Sequence, residues 1–260
     1  MTQTPLPAPV SRPLPRTLLT LLPLGLAAVL GMLPTLPAML GPLTERTPGA
    51  PPMATLLAVT AAQLTVLVAL SVAAGAWAAP RAGFRSRLVD RDWAALRADA
   101  HAGLLPGLLT GAVIVALDRL TGPLLGDAWA RAAAGQERTL AVTVSGMLYG
   151  GIGEELQMRW ALVSVLTVGL WRMFQRHSVR PTRAVILTAV LVVAALFGIG
   201  HLGAVAALVP LTPAIVARTV LLNAVGGVVY GLLFTRRSLE SAMVAHAVTH
   251  VAMTALTLLL

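Results

Sequence analysis

Gly150-Gly151-Ile152-Gly153-Glu154-Glu155-Leu156-Gln157-Met158-Arg159 lies inside an apolar run from about Thr139 to Trp171. Two acids and a base therefore sit where a hydrophobic segment should continue. A bilayer penalises each buried charge by at least about 3 kcal/mol, so ionisable groups in such a run are functional candidates by default. The stretch reads as one wall of an active site within a membrane. His201, His246 and His250, on later apolar runs, are the candidates for the other walls.

The rest of the composition agrees with a membrane setting. Of 260 residues, 57% are hydrophobic and 11% charged, and the mean hydropathy is +0.83. Soluble domains carry about 25% charged residues. The net charge is +9. The arginines cluster between apolar runs, which fits topology and anionic lipid head groups rather than nucleic acid. The chain has no cysteine, so disulfides, thiolate catalysis and Cys-ligated metal are excluded.

Outward from the opening stretch, the chain reads as an all-α polytopic bundle of about seven transmembrane helices. Residues 1–16 are rich in Pro, carry Arg12 and Arg16, and are expected to form a disordered basic arm. Residues 17–138 hold the N-terminal spans: about Thr17–Leu40, Met53–Ala79 and His101–Leu120. Between the last two, residues 80–100 combine five arginines with Trp93 and Leu96, and predict an amphipathic interfacial helix. Residues 139–260 hold the other four spans: Thr139–Trp171, Ala184–Leu208, Ala214–Phe234 and Leu239–Leu260. Alternate loops are basic (the N-terminal arm, 80–100, 172–183 and Arg236-Arg237), which places the N-terminus in the cytoplasm and the protein in the cell membrane. Gly146/Gly150 and Gly227/Gly231 have helix-packing spacing.

Three motifs carry chemistry. In the first, Glu155 and Arg159 are four residues apart, share a helical face and can pair. Glu154 is turned away by about 100° and lacks a local partner. Such a carboxylate serves as a proton acceptor or a metal ligand; the bland alternative is an ion cluster that fastens helices. The second is Phe197-Gly198-Ile199-Gly200-His201, with Phe197 one turn before the only ionisable side chain of its span. A lone histidine there also suits hydrogen-bonded packing. The third is His246-Ala247-Val248-Thr249-His250, two histidines on one face. They can chelate a metal, donate to one developing charge, or hydrogen-bond between helices.

These motifs resemble those of the CPBP family, the intramembrane proteases related to the CAAX prenyl endopeptidase and also called Abi. The matching pattern is Glu-Glu-x-x-x-Arg, then Phe-x-x-x-His, then His-x-x-x-Asn/Asp, and it covers about Thr139 to Leu260. The resemblance implies hydrolysis of a peptide bond in a membrane-associated or lipidated peptide or protein. By carry-over, Glu154 and His201 activate the water. His246 and position 250 stabilise the oxyanion, and Glu155, Arg159 and Phe197 support the site. It also implies either one divalent metal, zinc, held by Glu154, His201, His246 and His250, or a metal-free glutamate mechanism. The chain departs from the pattern at position 250, where His stands for Asn or Asp. The competing reading is a non-catalytic membrane protein, such as an immunity factor, scaffold or small transporter, with the same residues as a polar core.

One geometric tension accompanies this reading. Glu154 lies about 27 Å along its helix from Arg172, and His246 only about 14 Å from Arg237. The groups meet only if spans four and five project from the membrane or break at their glycines.

Overall fold

A computed structural model describes residues 14–135 and 137–260. The expected arm 1–16 therefore lies outside the described residues, except for Leu14–Arg16, which open the first helix. Among the described residues every regular element is helical. In chain order the first helices are α1 (Leu14–Met32), α2 (Leu36–Arg46), α3 (Met53–Ala82), α4 (Arg87–Asp90), α5 (Trp93–Thr121) and α6 (Asp127–Ala134). Next comes α7 (Leu140–Ser145), which leads into two π-helical runs, Gly146–Glu154 and Leu156–Val163, and then α8 (Ser164–Phe174). The chain finishes with α9 (Arg183–Gly200), α10 (Leu202–Ala206), α11 (Pro213–Arg236) and α12 (Leu239–Leu259).

The protein is a multi-pass helical membrane protein. Six helical stretches are long and apolar enough to cross: Leu14–Pro42, Met53–Ala82, Trp93–Leu125, Arg183–Ala206, Pro213–Arg236 and Leu239–Leu259. The remaining expected span, 139–171, is helical throughout, but its winding changes from α to π and back. Residues 80–100 do not form the separate interfacial helix expected of them. They divide among the end of α3, the single turn α4 and the start of α5. Asp92 explains the split: its side chain caps α5 by accepting from Ala95 N–H, so the helix that crosses starts at Trp93. Thr139, Thr182, Thr212 and Ser238 cap α7, α9, α11 and α12 in the same way.

One apolar core joins the two halves of the chain. Leu21 and Val29 of α1 and Val68 and Val72 of α3 are buried with Leu156, Trp160, Tyr230, Leu239 and Ala245. Trp160 is fully buried, and its indole donates to Val72 O at 3.3 Å. Small residues let the helices close on one another, as expected where dispersion rather than water exclusion drives packing. Gly227 and Gly231 of α11 face Ala194 and Val190 of α9, as their spacing predicts.

A second small-residue row, Gly103, Gly107 and Gly111 on α5, seats α12. A Cβ at Gly107 would stand 2.4 Å from Ala245 O, a backbone atom next to His246. Gly107→Leu is therefore expected to push α12 off α5 and cost about 1–3 kcal/mol. Thermal melting of the purified variant in detergent checks this. An unchanged melting temperature would contradict the seating role.

Candidate active site

The π-helical winding brings the first motif to the others. A π-helix has more residues per turn than an α-helix, and such segments occur frequently at functional sites. The angle between successive side chains is correspondingly smaller than the 100° of an α-helix. Glu154 and Glu155, expected to diverge, instead flank one imidazole. His246 Nδ1 lies 2.8 Å from Glu155 Oε1, and His246 Nε2 lies 3.8 Å from Glu154 Oε2. The other Glu154 oxygen, Oε1, is 4.0 Å from His201 Nε2. Glycines make this approach possible. A Cβ at Gly150 would fall 2.8 Å from His250 Nε2 and 3.1 Å from His246 Nε2, and one at Gly146 would collide with the His250 ring. The glycines thus admit α12 instead of breaking the helix, which runs on through them, so of the two expected routes the break is not used here. In α9 the chain does turn at its glycines, since the helix ends at Gly200 and His201 caps it.

The two carboxylates have different surroundings. Glu155 is fully buried and pairs with buried Arg159, Nη1 to Oε1, at 3.0 Å. Glu154 retains 21% side-chain exposure and His201 34%, so this edge of the cluster is the accessible one. The ring nitrogens are settled by their partners. His201 Nδ1 lies 2.7 Å from Phe197 O, a carbonyl that can only accept, so Nδ1 carries a proton and Nε2 is the nitrogen that faces Glu154. An ionised Glu155 assigns His246 likewise: Nδ1–H donates and Nε2 is turned to Glu154. The gaps of 3.8 and 4.0 Å are too long for direct hydrogen bonds. They suit a bridging water instead.

Aromatic rings hold the imidazoles in place. Phe197 meets His201 edge-on at 4.7 Å and His246 at 5.9 Å. Tyr230 stacks on His246 at 4.5 Å, and His250 stacks on His246 at 5.3 Å. The Arg159 guanidinium sits between the same two rings, 5.1 Å from Phe197 and 5.2 Å from Tyr230, and its Nη2 donates to Gly227 O at 3.0 Å. Arg159 therefore organises three helices: its own, α9 and α11.

Every residue expected at the site is in this cluster. Glu154, His201 and His246 face one another, Glu155, Arg159 and Phe197 surround them, and His250 stacks alongside without an ion-pair contact to Glu154. Among the described residues no three His, Asp or Glu side chains are disposed to hold one metal ion.

Sequence reasoning missed Tyr230, which appeared only inside a glycine spacing, and Glu240. Glu240 accepts from Ser86 Oγ at 2.5 Å, Arg87 N at 2.9 Å and Leu88 N at 3.1 Å, and so ties the α3–α5 connection to the first turn of α12. A carboxylate in the first turn of an apolar helix was the available signal. Asn223 bonds within its own helix to Thr219 O at 2.8 Å. Arg218 pairs with Asp118 and lies 4.2 Å over Trp129.

The fold and the cluster define a polytopic helical membrane protein with a partly accessible Glu/His centre. Residues 136–252 match the family model described as Type II CAAX prenyl endopeptidase Rce1-like. The match spans the three motifs and is to the family that they resemble. No curated protein and no solved structure matches the chain.

Proposed function

We propose that this protein is an active intramembrane endopeptidase of the cell membrane, with its N-terminus in the cytoplasm and a membrane-associated or lipidated peptide as substrate. The observation that carries the reading is the Glu154 carboxylate facing Nε2 of both His201 and His246, at 4.0 and 3.8 Å. A water in that gap gives its proton to Glu154 while His201 Nε2 accepts from its other hydrogen. The resulting hydroxide attacks the scissile carbonyl carbon. Glu154 then passes the proton to the leaving amine, completing hydrolysis without a covalent intermediate.

The oxyanion needs donors. His250, partly exposed beside His246, is placed to be one. Glu155 holds His246 in orientation through Nδ1, and Arg159 holds Glu155 in place as its ion-pair partner. If position 250 donates, His250→Ala is expected to lower kcat by about 10²–10³. His250→Asn, which restores an amide donor, is expected to recover most of that loss. Equal turnover for wild type and His250→Ala would remove His250 from the mechanism.

The test of the whole reading is cleavage of a fluorophore-labelled membrane peptide by purified protein, with and without the Glu154 carboxylate. Cleavage that survives its removal would overturn the reading. Metal analysis of the same preparation tests the zinc reading separately.

A further inference from the structure

Beside the first turn of α1 the surface opens into a cavity of about 380 Å³, lined by Pro15, Arg16, Leu19 and Thr20 and, from the link between α4 and α5, by Arg91. Two segments far apart in sequence thus bring two guanidinium groups to one hollow. Neither has an anion. Among the described residues no carboxylate lies within ion-pair distance of Arg16 or Arg91. Asp92, the residue after Arg91, accepts from Ala95 N–H and pairs with Arg87. Arg16 Nε is buried with no hydrogen-bond partner. A buried donor left unpaired is costly and calls for an explanation.

Arg91 carries a second mark. Among the described residues it is the one non-glycine in the left-handed region, with φ of 56°. Glycine adopts that conformation freely, whereas a Cβ is crowded in it. An arginine held there against its preference points to a use for its side chain.

The hollow continues toward the membrane as an apolar track. Leu19 is 78% exposed. Leu26 and Leu30, seven and eleven residues further on, share its helical face and are exposed as well. The track is about 16 Å long, close to the hydrocarbon depth of one leaflet, about 15 Å. A free anion would use the arginines alone, whereas a phospholipid uses the arginines and the track. We propose that Arg16 and Arg91 clamp the phosphate of an anionic phospholipid whose acyl chain lies along Leu19, Leu26 and Leu30. A guanidinium matches a phosphate in shape and charge. On the topology proposed above, this lipid belongs to the cytoplasmic leaflet, where anionic head groups gather. Once bound, it joins the start of α1 to the α4–α5 link. The proposal stands apart from catalysis, and its test needs no turnover.

Full-length protein in detergent is titrated with dioleoyl phosphatidylglycerol or dioleoyl phosphatidylcholine, and retained lipid is counted by native mass spectrometry. The first phosphatidylglycerol is expected to bind about tenfold more tightly than the first phosphatidylcholine, whose own cation repels the two arginines. Arg91→Gly removes the guanidinium and suits the left-handed backbone. It is expected to melt close to the parent in lipid-free detergent while the preference falls to about one. Arg16→Gln is expected to lower the preference in the same way. Arg172→Gln/Arg176→Gln, in a basic loop elsewhere, is expected to leave it unchanged. A preference that survives both Arg91→Gly and Arg16→Gln, or that the loop variant abolishes equally, would overturn the site. Inorganic phosphate at the lipid's concentration is expected to leave the melting temperature unchanged. A rise equal to that given by phosphatidylglycerol would make a free anion the ligand and end the lipid assignment.

Discussion

Glu154→Gln is expected to reduce peptide cleavage by about 10²–10⁴-fold, the usual contribution of a positioned general base, while the protein stays folded. The structure separates the two effects. The Glu154 side chain is 21% exposed, and its nearest partners, His201 Nε2 and His246 Nε2, are 4.0 and 3.8 Å away, beyond direct hydrogen bonding. An amide of the same shape fits the position and orphans no buried group. A stability change below about 1 kcal/mol is therefore expected. The same amide cannot take a proton from water at neutral pH. Turnover of a labelled membrane peptide, read beside the melting temperature in the same detergent, is the measurement. Near wild-type turnover by Glu154→Gln would sink the water-activating role. A large fall in melting temperature would mean that the carboxylate supports the fold.

The opposite profile is expected of Arg159. Its side chain is 1% exposed and its carboxylate partner Glu155 is fully buried. Arg159→Met removes the cation and leaves a buried carboxylate hydrogen-bonded to His246 alone. Breaking a buried pair from one side costs about 3–5 kcal/mol, a large share of the about 5–15 kcal/mol typical of folded domains. The loss of the contacts to Phe197, Tyr230 and Gly227 O acts in the same direction. Low expression, a lowered melting temperature and lost cleavage are the expected results. The double substitution Glu155→Leu/Arg159→Met is expected to regain much of the stability, because no unpaired charge remains. It is not expected to regain activity, since His246 Nδ1 then lacks the acceptor that orients it. A stable Arg159→Met single variant would refute the positioning role, and so would an active double variant.

Much of this site was legible in the linear chain, for a physical reason: charge in an apolar run is rare and expensive. Glu154, Glu155 and Arg159 stand out on that ground alone, and so do His201, His246 and His250 in runs that carry few other polar groups. The Glu155–Arg159 pair followed from four-residue spacing and is present at 3.0 Å. Tyr230 was not legible, because an aromatic residue among valines and glycines in an apolar helix looks like packing. Only its stacking on His246 gives it a role at the site. Gly103, Gly107 and Gly111 were overlooked because small residues are common in apolar helices, and their use depends on which helix comes to lie against them.

Local rules thus determined the helical membrane class and the residues bearing chemistry. These depend on hydropathy and spacing along one helix, both of which are properties of neighbours in sequence. Tertiary structure alone decided how the residues face one another. The π-helical winding from Gly146 to Val163 turns Glu154 and Glu155 toward the two nitrogens of a single imidazole. That arrangement needs α12 pressed against Gly146 and Gly150 from one side and against Gly103, Gly107 and Gly111 from the other. No spacing rule contains those contacts, because they join residues about a hundred positions apart that only packing brings together.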